Sequence, residues 1–207
     1  MNYIVIAHII CILIVGVITF LVYNEKFSEN QKYLGLVSVS AFICVIGCFL
    51  GDLASSEGAL IVAVKIQYFG VAYLYTFLLL LIMRSCNAHV HSSVAAVLII
   101  IDTVMLTGAL LMDYHDLFFE EFYAKKVDGM FQLVYTPGKM MICWYIYHFG
   151  LLLNAFIITI RNQIIYKTKN SKFIIFLPTA FFVFWLCTVM ENFHIHPYAQ
   201  YSEFILV

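Results

Sequence analysis

The chain has 207 residues, of which 64% are hydrophobic and 11% charged, with a formal net charge of −1 and a mean hydropathy of +0.96. Soluble domains carry about 25% charged residues, so the composition excludes an ordinary soluble domain and points to a polytopic membrane protein. It also leaves no basic surface suited to nucleic acid.

A spanning helix needs about 20 apolar residues. Stretches of that kind cover 3–23, 33–51, 59–83, 93–112, 139–160 and 173–190, and a seventh begins at about 200. Met1 to His8 lacks the positive leader of a signal peptide, which predicts an uncleaved first helix. The third stretch is long enough to tilt or to project from the bilayer. Between the fourth and fifth lies the longest loop, Asp113 to Gly138. There Phe122–Val127 and Met130–Tyr135 flank Asp128 and Gly129. Asp-Gly between two β-prone runs predicts a hairpin, because both central turn positions favour positive φ. Pro137 and Gly138 then close the strand before the fifth helix. The expected fold is an all-α membrane protein: a polytopic bundle of six complete spans plus the start of a seventh, with a small extracytoplasmic β-hairpin between spans 4 and 5. Residues 1–207 form a single input-type domain on this reading.

Basic residues sit in alternate gaps. Lys26 and Lys32 lie in the first, Arg84 in the third, and Arg161, Lys167, Lys169 and Lys172 in or beside the fifth. The second and sixth gaps hold none and the fourth is acidic overall. Short Lys/Arg-rich loops stay in the cytoplasm, which predicts an outside N-terminus and outward-facing even gaps. After six spans the chain would be outside, and Tyr201 to Val207 read as the entry to a seventh.

Ionisable groups within the membrane are costly and mark candidate sites. Lys65 lies about two turns into the third helix. It could snorkel outward, or meet Asp52 at the end of the second helix or Glu191 at the end of the sixth. Lys65, Asp52 and Glu191, with Tyr68, form the expected ligand-binding set; an ion pair that only joins helices fits the same residues. Asp102 and His148 sit at similar depth in the fourth and fifth helices, where an Asp–His pair would be pH-responsive or a plain interhelical contact worth about 1 kcal/mol.

Of the remaining polar residues, His194, His196, Glu191 and His115 show no tight ligand spacing, so no metal is expected, nor any cofactor. Six cysteines, at positions 11, 44, 48, 86, 143 and 187, suggest no disulfide framework. Cys44 and Cys48 share a helix face and read as small packing residues. Glu120 and Glu121 with Lys125 faintly resemble the paired-glutamate motif of intramembrane CAAX-type proteases, but the Arg of that motif is missing. No Ser-His dyad, phosphate-binding glycine loop or HExxH sequence occurs, and the chain is not expected to be an enzyme.

Several stretches carry a family likeness. They are Ala59 to Gly70 with its Lys65, Tyr68 and Gly70; His115 to Phe119 just beyond the fourth helix; the loop closing at Pro137 and Gly138; and the aromatic run Trp144, Tyr145, Tyr147 and His148. With the hydropathy pattern these make the chain similar, over nearly its whole length, to the seven-transmembrane N-terminal sensor region of bacterial histidine kinases. Similar regions also precede diguanylate cyclase domains. The resemblance implies a sensory input module in the bacterial inner membrane, passing an external or membrane signal to a histidine kinase or diguanylate cyclase output. Its partners would be the lipid bilayer, an unidentified small-molecule or membrane signal, a cytoplasmic output domain in cis and, optionally, a second copy in a homodimer. The alternative is a small transporter or channel, which would need a polar path across the bilayer; Asp102, His148, Asn154 and Lys65 are few for one.

Overall fold

The computed structural model describes residues 3–24, 29–88, 90–127, 130–166 and 175–192. In chain order these form α1 (Tyr3–Asn24), α2 (Glu29–Asp52), α3 (Glu57–Ser85), α4 (Ser92–Leu110), β1 (Phe119–Val127), β2 (Met130–Pro137), α5 (Lys139–Tyr166) and α6 (Phe176–Asn192).

Helices α1 to α5 are long and apolar enough to cross a membrane. The described part of α6 has 17 residues and rises about 26 Å, against the roughly 30 Å hydrocarbon core. The expected six complete spans are therefore five among the described residues. Pro178 helps to set this start. In the first turn its missing N–H costs nothing, whereas further inside a helix it would break a hydrogen bond. Residues 167–174 and everything after Asn192, including the expected seventh span from about 200, lie outside the described residues.

Helix ends follow local chemistry. Ser56 caps α3, its hydroxyl accepting from the Ala59 amide at 3.3 Å, and Glu57 lies in the positive first turn. At the other end Asn87 takes a left-handed φ of 54°. Its amide bonds the Arg84 carbonyl and that of Ala88 bonds Met83, a Schellman closure with Asn in the usual glycine place.

Lipid offers apolar side chains no reason to leave it, so membrane helices associate through close packing. α2 and α3 show this best. A Cβ on Gly70 would collide with the backbone of Ser40 and Cys44, and one on Gly47 with the backbone of Gln67. Cys44 and Cys48 are buried on the same face of α2. α1 packs on α2 through His8, Cys11 and Val15, at helical spacing, while Ile10, Leu13, Val17, Phe20 and Leu21 are exposed. α4 is similarly peripheral, with Asp102, Leu106 and Ala109 turned inward.

One core cluster runs through α2, α3, α5 and α6, around Leu74, Leu78, Ile82, Leu152 and Phe184. A second lies where the hairpin meets the bundle, around Met112, Phe118, Phe119, Met141 and Trp144. The hairpin is the expected one but longer. Its strands pair antiparallel from Val127↔Met130 back to Phe119↔Pro137, with a bulge between Phe119 and Glu121. The strand starts early because Phe118 and Phe119 are buried anchors, each no more than 1% exposed. The hairpin lies against α2, α3 and α5, at the end of the bundle that also holds Asp52, Lys65 and Asp113.

Candidate functional site

At the hairpin end two ion pairs join elements distant in sequence. The Lys65 ammonium donates to the Asp113 carboxylate, three residues beyond α4. His8 Nδ1 lies 2.6 Å from Asp52 Oδ2, tying the start of α1 to the end of α2. The structure thus gives Lys65 a partner other than the expected Asp52 or Glu191. Asp52 is engaged by His8; Glu191 is in the last turn of α6, with its side chain outside the described set. Asp52 nonetheless stays at the same end, since its neighbour Gly51 approaches Leu60 and Ala63 of α3. The Lys65 and Asp113 side chains keep 22% and 33% of their surface exposed; Asp52 keeps 12% and His8 only 2%.

Tyr68, one turn along α3 from Lys65, sits in an aromatic nest. Its ring meets Phe118 at 5.0 Å, Trp144 at 5.5 Å and Phe119 at 6.2 Å, all edge-on, the favoured arrangement of ring quadrupoles. The nest binds the α4–β1 segment to α3 and α5. The backbone finishes the clamp: the amides of Gly138 and Met140 donate to the Phe118 and Leu117 carbonyls at 2.9 Å. A Cβ at Gly138 would strike Leu117 and Phe118 backbone, so the Pro137-Gly138 turn is also a close-approach site. A cleft beside it is lined by Asp116, Leu117, Glu120 and Lys139. Glu120 and Glu121 fall on the exposed start of β1, away from any membrane helix interior.

Deeper in the bundle, Asp102 and His148 are 1% and 2% exposed. They do not bond to each other, because neither Asp102 oxygen has a hydrogen-bond partner. His148 turns to α3, stacking near Tyr75 at 4.5 Å with the Ala72 backbone as its polar neighbour, and meets Trp144 at 5.1 Å. Thr76 and Tyr147 are the polar side chains beside Asp102, but neither Asp102 oxygen meets a partner within hydrogen-bond geometry. Tyr147 precedes His148 and so points about 100° away around α5; similar depth did not make a pair.

Sequence pattern does not single out Asp113, His8 or Thr76, and marks Tyr147 only as part of an aromatic run. His8 had a usable signal, a lone imidazole in an otherwise apolar first helix. Among the described residues no group of three or more His, Cys, Asp and Glu could hold a metal ion. His194 and His196 lie outside them. Among the described residues, Cys11, Cys44, Cys48, Cys86 and Cys143 form no disulfide.

Apolar helices of spanning length, an ordered hairpin at one end and buried polar residues between helices define a multi-pass membrane protein with no catalytic constellation among its described residues. The model of the N-terminal seven-transmembrane region of histidine kinases matches residues 5–205, and the chain belongs to that family. The family is a membrane sensory input region and not itself catalytic. Comparison with curated proteins finds no match.

Proposed function

We propose that this region receives its signal at the hairpin end and passes it through helix packing to a cytoplasmic histidine kinase or diguanylate cyclase output in the same polypeptide. The reading places the N-terminus and hairpin outside the bacterial inner membrane, as the basic residues of the alternate gaps favour. Lys65, Asp52, Tyr68 and Glu191 are the proposed signal-contacting residues; the hairpin is the lid above them.

The observation that carries this reading is the Lys65–Asp113 ion pair on its aromatic seat. Both side chains are partly exposed, so an external ligand can compete for either charge. It also couples α3 to the segment that leads from α4 into the hairpin. A ligand binding one packing better than another shifts the population toward it by no more than its differential affinity. Breaking an accessible pair on a rigid aromatic base is such a differential interaction. The output would follow from a shift of the helices against each other.

The test is a signalling assay in cells with Lys65→Met, in a protein joining this region to its output domain, with membrane insertion measured in parallel. The reading predicts normal insertion and altered basal or stimulated output. Normal insertion with unchanged output removes Lys65 from the signal path.

A further inference from the structure

Asp102 stands apart from every other described carboxylate. It is 1% exposed in the middle of α4, and both its oxygens lack a hydrogen-bond partner. Burying an ionised carboxylate unpaired costs several kcal/mol, and membranes supply no water to offset it. Yet the surroundings are rich in oxygen. Thr76 of α3 and Tyr147 of α5 face the carboxylate. The Thr76 hydroxyl lies 3.4 Å from that of Tyr147, and the latter 3.4 Å from the Leu98 carbonyl.

Those spacings are informative. Good O–H···O hydrogen bonds cluster near 2.7–2.8 Å, so 3.4 Å is long for either contact. Two oxygens bound at right angles to a cation of calcium's size, at about 2.3–2.6 Å each, stand roughly 3.3–3.7 Å apart. Sodium has nearly that size with half the charge. The Thr76 hydroxyl is also turned away from its own helix. Thr19, Thr103, Thr107, Thr159, Thr179 and Thr188 each bond the carbonyl four residues back in their own helix, whereas Thr76 turns across to α5.

Charge settles the valence. One carboxylate with neutral hydroxyls and a carbonyl carries a single negative charge. α4 holds no basic residue. On α3, Lys65 and Arg84 lie eleven and eight residues from Thr76, about 16 and 12 Å along the axis. On α5, Lys139 and Arg161 lie eight and fourteen residues from Tyr147, about 12 and 21 Å. Tyr147 is itself titratable, and His148 is turned to Ala72 and Tyr75.

We infer that Asp102, Thr76, Tyr147 and the Leu98 carbonyl form an intramembrane binding site for one monovalent cation of sodium's size, joining α3, α4 and α5. The site is independent of the proposed signal path at Lys65. Its occupancy ties the peripheral α4 to the bundle.

The test measures thermal unfolding of the chain in lipid nanodiscs, with NaCl replacing choline chloride at constant ionic strength. Binding only to the folded state raises the melting temperature in a concentration-dependent way. The site predicts such a rise with sodium, a smaller one with potassium, and its loss in Asp102→Asn but retention in Asp113→Asn, whose carboxylate is at the hairpin end. Tyr147→Phe should need at least several-fold more sodium for the same rise. Equal stabilisation by potassium and sodium, or a rise that survives in Asp102→Asn, overturns the site. So does a wild-type protein indifferent to sodium but stabilised by acid, which assigns Asp102 to a proton. The wild-type arms decide the question even where Asp102→Asn fails to fold.

Discussion

His8 Nδ1 meets Asp52 Oδ2 at 2.6 Å, and through this contact the otherwise lipid-facing α1 is fixed to the end of α2. The pair is nearly sealed, with His8 at 2% and Asp52 at 12% exposure. Removing one partner leaves the other buried without its bond, at a cost of about 1–3 kcal/mol. His8→Phe and Asp52→Leu should each destabilise the protein by that amount. The double variant should lose less than the sum of the two. Equilibrium unfolding in mixed micelles reads the difference; additive losses in the double variant would count against a direct pair.

Gly70 and Gly150 make a contrasting pair in membrane helices. A side chain on Gly70 strikes the backbone of Ser40 and Cys44, whereas one on Gly150 meets nothing within 4 Å. Overpacking typically costs about 1–3 kcal/mol, and backbone cannot rotate aside as a side chain can. Gly70→Leu should therefore cost at least the upper end of that range and yield little monodisperse protein, while Gly150→Ala should match the wild type in yield and melting temperature.

The aromatic nest predicts how the hairpin is held. Tyr68 meets three rings edge-on, each pair worth about 0.5–1.5 kcal/mol beyond area burial. Tyr68→Leu should loosen β1 and β2, raising their amide hydrogen exchange relative to α3, whereas Tyr68→Phe should leave exchange unchanged. Equal protection in Tyr68→Leu would show that the Gly138 and Met140 backbone bonds hold the hairpin alone.

Orientation is checked by chemical access. Tyr114 is 82% exposed at the hairpin end, and Asn87 is exposed at the other. In a background without native cysteines, Tyr114→Cys should react with a membrane-impermeant maleimide on intact spheroplasts, and Asn87→Cys only after lysis. The reverse pattern would invert the proposed topology.

Much of this architecture is legible in the sequence, for physical reasons. Apolar runs of spanning length have one stable solution in lipid, so the first five helices fall within a few residues of their expected bounds, the longest difference being the extension of α5 to Tyr166. Asp128 and Gly129 between β-prone runs mark the hairpin. Side-chain partners are harder to read. Asp52, Asp113 and Lys65 share one end of the bundle, and which carboxylate meets the lysine depends on the rotation of α2 and α3 about their axes, which hydropathy does not encode. Asp102 and His148 share a depth but not a direction. Thr76 looks like six other threonines that bond their own helices, and only the packing of α5 distinguishes it.

In the proposed signal path the Lys65–Asp113 pair transmits the state of the hairpin end to the output. A charge exchange tests it most directly, because it restores the attraction while displacing both groups. In proteoliposomes containing this region joined to its kinase or cyclase, output should change with Lys65→Asp and with Asp113→Lys and return toward wild type in the double variant. Single variants with wild-type output, or a double variant whose effect is the sum of the two, would contradict the account.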